Sequence, residues 1–93
     1  MRTIERSSQF RRDYNRESRG QHRATLDDDL VPVVMALANE RPLEGRRRDH
    51  ALSGDWSGYR ECHIKPDLLL IYRKPEEESL WLVRLGSHSE LFG

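Results

Sequence analysis

The stretch YRECHIKPDLLLIYRKPEEESLWLVRL, Tyr59–Leu85, decides the fold. Three strand-length segments lie within and around it: Tyr59 to Ile64, Leu68 to Lys74 and Ser79 to Leu85. Their period is two, and they are rich in Leu, Ile, Tyr, Val and Trp. Lys65-Pro66-Asp67 separates the first pair, and Pro75 with Glu76, Glu77 and Glu78 separates the second. Connections this short favour antiparallel pairing.

Upstream the pattern becomes helical. Arg2 to Arg6 reads as a short strand, and Ser7 or Ser8 can N-cap a helix from about Gln9 to Arg19. Phe10 and Tyr14, four apart, form its apolar stripe, and Gly20 is its candidate C-terminal cap. Leu26, Leu30, Val33, Val34, Leu37 and Ala38 share one face of a second helix. Pro32 interrupts it, so the expectation is either a kink there or a regular part that begins near Asp29. Leu43 to Trp56 reads as a long loop, and Ser87 to Gly93 as a helical turn or tail. The order strand, helix, helix, three strands predicts an α+β sandwich in one domain, residues 1–93. Its helical hairpin covers one face of a small, mainly antiparallel sheet and leaves the other open.

Composition narrows the function. Sixteen Lys and Arg balance sixteen Asp and Glu, so a nucleic-acid contact must come from a local patch rather than from overall charge. Arg dominates the cations, and three stand together at Arg46, Arg47 and Arg48. Acid collects at Asp27 to Asp29 and at Glu76 to Glu78, clusters expected to lie away from the site. A single cysteine, Cys62, excludes an internal disulfide, and no apolar run reaches the length of a secretion signal or membrane span. The cytoplasm is the expected compartment.

Alternation along the first of the three strands sends Glu61 and His63 to the open face and Cys62 and Ile64 to the core. Asp67 follows in the turn, His50 precedes the strand and His88 follows the last one, whereas His22 sits apart in the hairpin. Singly, each also reads as a solvated polar group, and Glu61 as a partner for a nearby Arg. Together they suit metal-free RNA cleavage: a base takes the 2′-hydroxyl proton, an acid protonates the departing 5′-oxygen, and cations steady the phosphorus. Arg46, Arg47, Arg48, Arg60, Lys65 and Arg84 are the candidate RNA or ribosome contacts, although alternation puts Arg60 on the core side, where it would anchor the sheet edge. A metal site from His50, His63, His88 and a carboxylate ranks lower for want of ligand spacing, and Cys62 is too buried for a nucleophile.

The run DHALSGDWSGYRECHIKPDLLLIYR, Asp49–Arg73, with LVRLGSHSELFG, Leu82–Gly93, resembles the YafQ type of bacterial toxin in the RelE/ParE superfamily. The resemblance implies a RelE-like fold and a ribosome-dependent mRNA endonuclease that works in the A site without metal or other cofactor. It implies His50, His63, Asp67 and His88 as catalytic, with Phe92 as a terminal aromatic in support. Glu61 stands where aspartate is usual. The resemblance does not settle which histidine is acid and which is base; the working assignment makes His88 the acid and His50 or His63 the base, with Asp67 orienting an imidazole. The implied partners are the ribosome with its mRNA and a cognate antitoxin of ribbon-helix-helix type, through which alone operator DNA is reached. A gyrase inhibitor and a silent antitoxin-binding module are the competing readings.

Overall fold

Leu68 to Tyr72 are buried without exception, which a strand shows when both faces of its sheet are covered. In the computed structural model, which describes Met1–Gly93, this strand (β4, Leu68–Arg73) is the centre of a five-stranded sheet. The order is β1 (Thr3–Arg6), β5 (Ser79–Gly86), β4, β3 (Arg60–Lys65) and β2 (His50–Ala51). β1 joins β5 in parallel, and every other pair is antiparallel. The fold is the expected α+β arrangement. No helix is long and apolar enough to cross a membrane.

The helical hairpin is α1 (Ser8–Glu17) and α2 (Leu26–Ala38). Ser7 is the N-cap of α1: its hydroxyl oxygen accepts from the Phe10 amide at 2.9 Å and donates to the Val83 carbonyl at 2.7 Å, fastening the helix start to β5. α1 ends at Glu17 with Ser18 as its cap, two residues short of the expected limit; Gly20 lies in the turn beyond. The six residues of the α2 stripe are the six that are buried there. This helix overturns one alternative for Pro32, a regular part that begins near Asp29, because it starts at Leu26. Asp27, Asp28 and Asp29 in its first turn favour the positive end of the dipole. Pro32 and Asp28 are both exposed, so the Asp28 carbonyl that loses its helical donor turns to solvent.

The principal core lies between this hairpin and the sheet, with Cys62, Ile64, Leu70, Tyr72, Leu80 and Leu85 facing Phe10 and the α2 stripe. The second face is not left open. Leu69 and Ile71 are covered by Leu52 and Trp56 from the loop and by Leu91 and Phe92 from a last helix, α3 (His88–Phe92). The predicted long loop also contains two 3₁₀ turns and the two-residue β2.

α1 is tied to the sheet by one carboxylate. β5 shifts register against β4 between the Tyr72–Leu82 and Ile71–Arg84 pairs, which makes Val83 an extra residue. Asp13, 1% exposed, sits at this bulge and accepts from the Leu85 amide at 3.0 Å, from Arg84 Nε at 2.7 Å and from Arg16 Nη1 at 3.1 Å. Removing one member of such a network strands its partners away from water. Asp13→Ala is therefore expected to lower unfolding free energy by about 3 kcal/mol in a denaturant titration, whereas Asp28→Ala on the exposed side of α2 should change it little.

Candidate active site

β2 exists to hold His50. Its two residues pair with β3 so that His50 stands opposite Glu61. The imidazole is then caught between two acceptors: Nδ1 lies 2.6 Å from the Arg48 carbonyl and Nε2 lies 3.1 Å from Glu61 Oε2. A carbonyl only accepts, so Nδ1 carries a hydrogen, and the second contact is a hydrogen bond when a proton sits between Nε2 and the carboxylate. Arg48 aims its carbonyl this way from a left-handed conformation, φ 50°, which costs a non-glycine residue about 1 kcal/mol. Glu61 points to the predicted face but is buried, and its partner is His50 rather than an arginine. The added methylene relative to aspartate spans that gap.

His63, half-buried, follows Glu61 on the same face of β3 and pairs across with Leu69, which in turn pairs with Gly86 of β5. Neither ring nitrogen of His63 has a hydrogen-bond partner within the chain. His63 separates two hollows, one lined by Arg46, Arg48 and Pro66, the other by His22, Asp29, Lys65 and Asp67. The second measures about 280 Å³.

His88 begins α3, two residues beyond Gly86, and is exposed. Ser87 caps the helix reciprocally: its hydroxyl accepts from the Glu90 amide at 3.2 Å and its own amide donates to Glu90 Oε1 at 2.8 Å. Arg16 Nε lies 3.3 Å from Glu90, and Arg16 Nη2 donates to the Leu85 carbonyl at 2.8 Å, so α1 holds α3 in place. A Cβ at Gly86 would stand 2.9 Å from Arg16 Nη2 and 3.2 Å from Glu90 Oε1, so a larger residue there would push these two side chains from their present positions. The His88 ring packs on Phe92 at 5.0 Å between centroids, and Phe92 meets Trp56 edge-on at 6.0 Å.

Of the six cations expected to face RNA, four are engaged inside the protein. Arg47 is buried and donates to the Ile64 carbonyl at 2.6 Å. Arg60 bonds Asp49 and the Tyr72 hydroxyl, which makes it the sheet-edge anchor that alternation allowed. Arg84 is held by Asp13, and Lys65 by Asp29 at 2.6 Å and the Thr25 hydroxyl at 2.8 Å. Arg46 and Arg48 remain exposed beside His63. The acidic clusters divide: Glu76 to Glu78 occupy the β4–β5 turn, at the opposite end of β4 from Asp67, but Asp29 lines the site, contrary to expectation. The Lys65 hydrogen bond holds its carboxyl below the usual carboxylate range.

Two groups escaped the sequence reading. His22, set apart there, lies with Nε2 3.1 Å from Asp67 Oδ1, and Gln21 Nε2 is 3.2 Å from Asp67 Oδ2. Nothing in their spacing signals this, since 45 residues separate His22 from Asp67. Cys62 faces the core as predicted, and burial pushes its thiol up to about 12, which removes it as a nucleophile. Nowhere do three His, Cys, Asp or Glu side chains come close enough together to hold a metal ion.

The bonds from Ser87 hold the Glu90 carboxyl below its ordinary range. A lowered native value contributes stability above the unfolded value, about pH 4.3, and that contribution is lost as pH falls through the lowered one. Acidification is expected to loosen α3 before the sheet unfolds, seen as NMR signals of Phe92 averaging while those of Leu70 stay native. Simultaneous loss of both would contradict it.

Residues 2–93 match the family described as the bacterial toxin of type II toxin–antitoxin systems, YafQ. The mRNA interferase toxin YafQ of Escherichia coli K12 is 34% identical over 92 residues, covering 97% of this chain and 99% of that one. In the solved E. coli DinJ–YafQ complex, a chain 36% identical superposes with a TM-score of 0.83 and full coverage of both chains. A metal-bound toxin from Helicobacter pylori is 46% identical, with a TM-score of 0.82 and coverage of 99% and 100%.

Proposed function

The chain belongs to the YafQ family of type II toxin–antitoxin toxins, and from that premise we propose that it cuts mRNA in the ribosomal A site by metal-independent acid–base catalysis. The observation that carries this reading is His63, with both ring nitrogens free, beside the exposed Arg46 and Arg48, two residues along β3 from the Glu61 that pairs with His50.

Partner accounting sorts the three imidazoles. His63, with both ring nitrogens free, takes the 2′-hydroxyl proton as the 2′-oxygen attacks phosphorus. His88, also without a hydrogen-bond partner and exposed at the start of α3, gives its proton to the departing 5′-oxygen. His50, its ring fixed by Arg48 and Glu61, supplies positive charge to the phosphate when protonated, and Arg46 and Arg48 add to it. Phe92 and Trp56 fix the His88 ring and offer an edge against which a base can stack. A metal is bound to the H. pylori relative; here His50 is already spent on two acceptors and no three ligands converge, so the residues do not fit a ready-made centre and no step passes through one.

Single-turnover cleavage on programmed ribosomes should fall by about 10²- to 10⁴-fold for His63→Ala and for His88→Ala. Unimpaired cutting by both would sink the assignment. Codon-phased mRNA 5′ ends on induction in cells support the nuclease; DNA damage without cuts would support gyrase inhibition, and neither would leave an antitoxin-binding module.

The E. coli relative is solved with DinJ, and we assign this chain an antitoxin of the same kind. Its seat is the groove of about 450 Å³ between β1, α1 and α2, lined by Ile4, Phe10, Leu30, Val34 and Met35. Its charged lining is one residue of each sign, Arg6 and Asp27, so the mainly apolar groove suits the apolar face of an amphipathic segment. Val31, 51% exposed, is the apolar residue it would cover. Val31→Glu should weaken the toxin–antitoxin complex at least tenfold by calorimetry while leaving cleavage unchanged; unchanged affinity would place the partner elsewhere.

A further inference from the structure

Asp67 does not reach His50, His63 or His88. Its carboxylate, in the β3–β4 turn, instead accepts from two side chains of the loop that joins α1 to α2. His22 Nε2 lies 3.1 Å from Oδ1 and 3.3 Å from Oδ2, and Gln21 Nε2 lies 3.2 Å from Oδ2. The neighbouring Lys65, which could compete for Asp67, is tied to Asp29 and Thr25. An exposed turn carboxylate with no donors would sample several rotamers; two donors on adjacent residues select one.

We infer that His22, assisted by Gln21, is the positioning residue that holds Asp67 at the hollow shared with His63. The inference rests on the proposed RNA cleavage and on the catalytic role that the family resemblance implies for Asp67. A carboxylate only accepts, so the contact fixes the hydrogen of a neutral His22 ring on Nε2 and leaves Nδ1 without a hydrogen. The loop of the helical hairpin thereby contributes to the chemistry of the far strand turn. His22 acts through Asp67 and touches no reacting atom.

The test combines a spectroscopic signature with a double-mutant cycle. In the wild-type toxin, ¹⁵N NMR of the neutral His22 ring should show the Nε2–H tautomer, and Asp67→Ala should turn it into a mixture. A mixture already present in the wild type would overturn the inference, whatever the activity. In single-turnover cleavage, His22→Ala should reduce the rate by about 10- to 100-fold, with ribosome affinity and melting temperature unchanged. His22→Gln, whose amide keeps a donor near Nε2, should restore most of it. Adding His22→Ala to Asp67→Ala should cost nothing further, because the effect passes through the carboxylate. A full additional loss in the double variant would overturn the positioning role. Normal cutting by Asp67→Ala with the tautomer still fixed in the wild type would overturn the catalytic reading of Asp67, and the positioning role with it, while the contact itself stood.

Discussion

The rest of the structure hangs on the Asp13 carboxylate. It fills the bulge of β5, where the Leu85 amide and the Arg84 guanidinium both need an acceptor, and it does so from the buried side of α1. With Asp13 fixed, Arg16 one turn later on the same helix is aimed at the Leu85 carbonyl and at Glu90. Glu90 closes the cap on Ser87, and His88 is the next residue. A buried ion group is weak evidence for extra stability, since an apolar replacement often does as well. Its value here is geometric: an apolar contact has no direction, whereas donors from Leu85, Arg84 and Arg16 around one carboxylate fix α1 against β5, and Arg16 carries the constraint on to α3.

What was legible in the sequence followed periodicity and local chemistry. Leu68 to Tyr72, the six-residue stripe of α2, Ser7 as a cap and the inward Cys62 and Ile64 all depend on neighbours within a turn or on the next strand position. Pro32 misled because local rules price a lost hydrogen bond without knowing that it faces water. β2 was invisible because two residues make no pattern; only its partner strand defines it. Nothing local marks Asp13 for burial, because its partner Arg84 lies 71 positions away. His22 was set aside for the same reason. The open sheet face was overestimated, since Leu52 and Trp56 come from a segment with no regular period.

Charge repeats the lesson. A net charge of zero suggests a protein indifferent to phosphate, but charges of both signs pair within the chain and leave an uneven surface. Asp13 takes Arg84 and Arg16, Asp29 takes Lys65, Asp49 takes Arg60, and Glu40 takes Arg2 and Lys74. In the hollow that His63 shares with Pro66, a ligand meets Arg46 and Arg48, with Glu44 the exposed acid paired to one of them. Local accounting, not the total, sets the field at that rim.

The parallel pairing of β1 with β5 has a consequence in time. β1 is synthesised first, yet its only partner in the sheet is the last strand, and the Ser7 hydroxyl meets the Val83 carbonyl across 76 residues. Closing a loop of that length precedes any reward from the contacts it makes, so the sheet cannot nucleate from its first strand outward. Until β5 and α3 have been made, a growing chain lacks a sheet edge, the seat for Asp13 and the imidazole of His88. The proposed cleavage site is thus completed by the last elements of the fold, not the first.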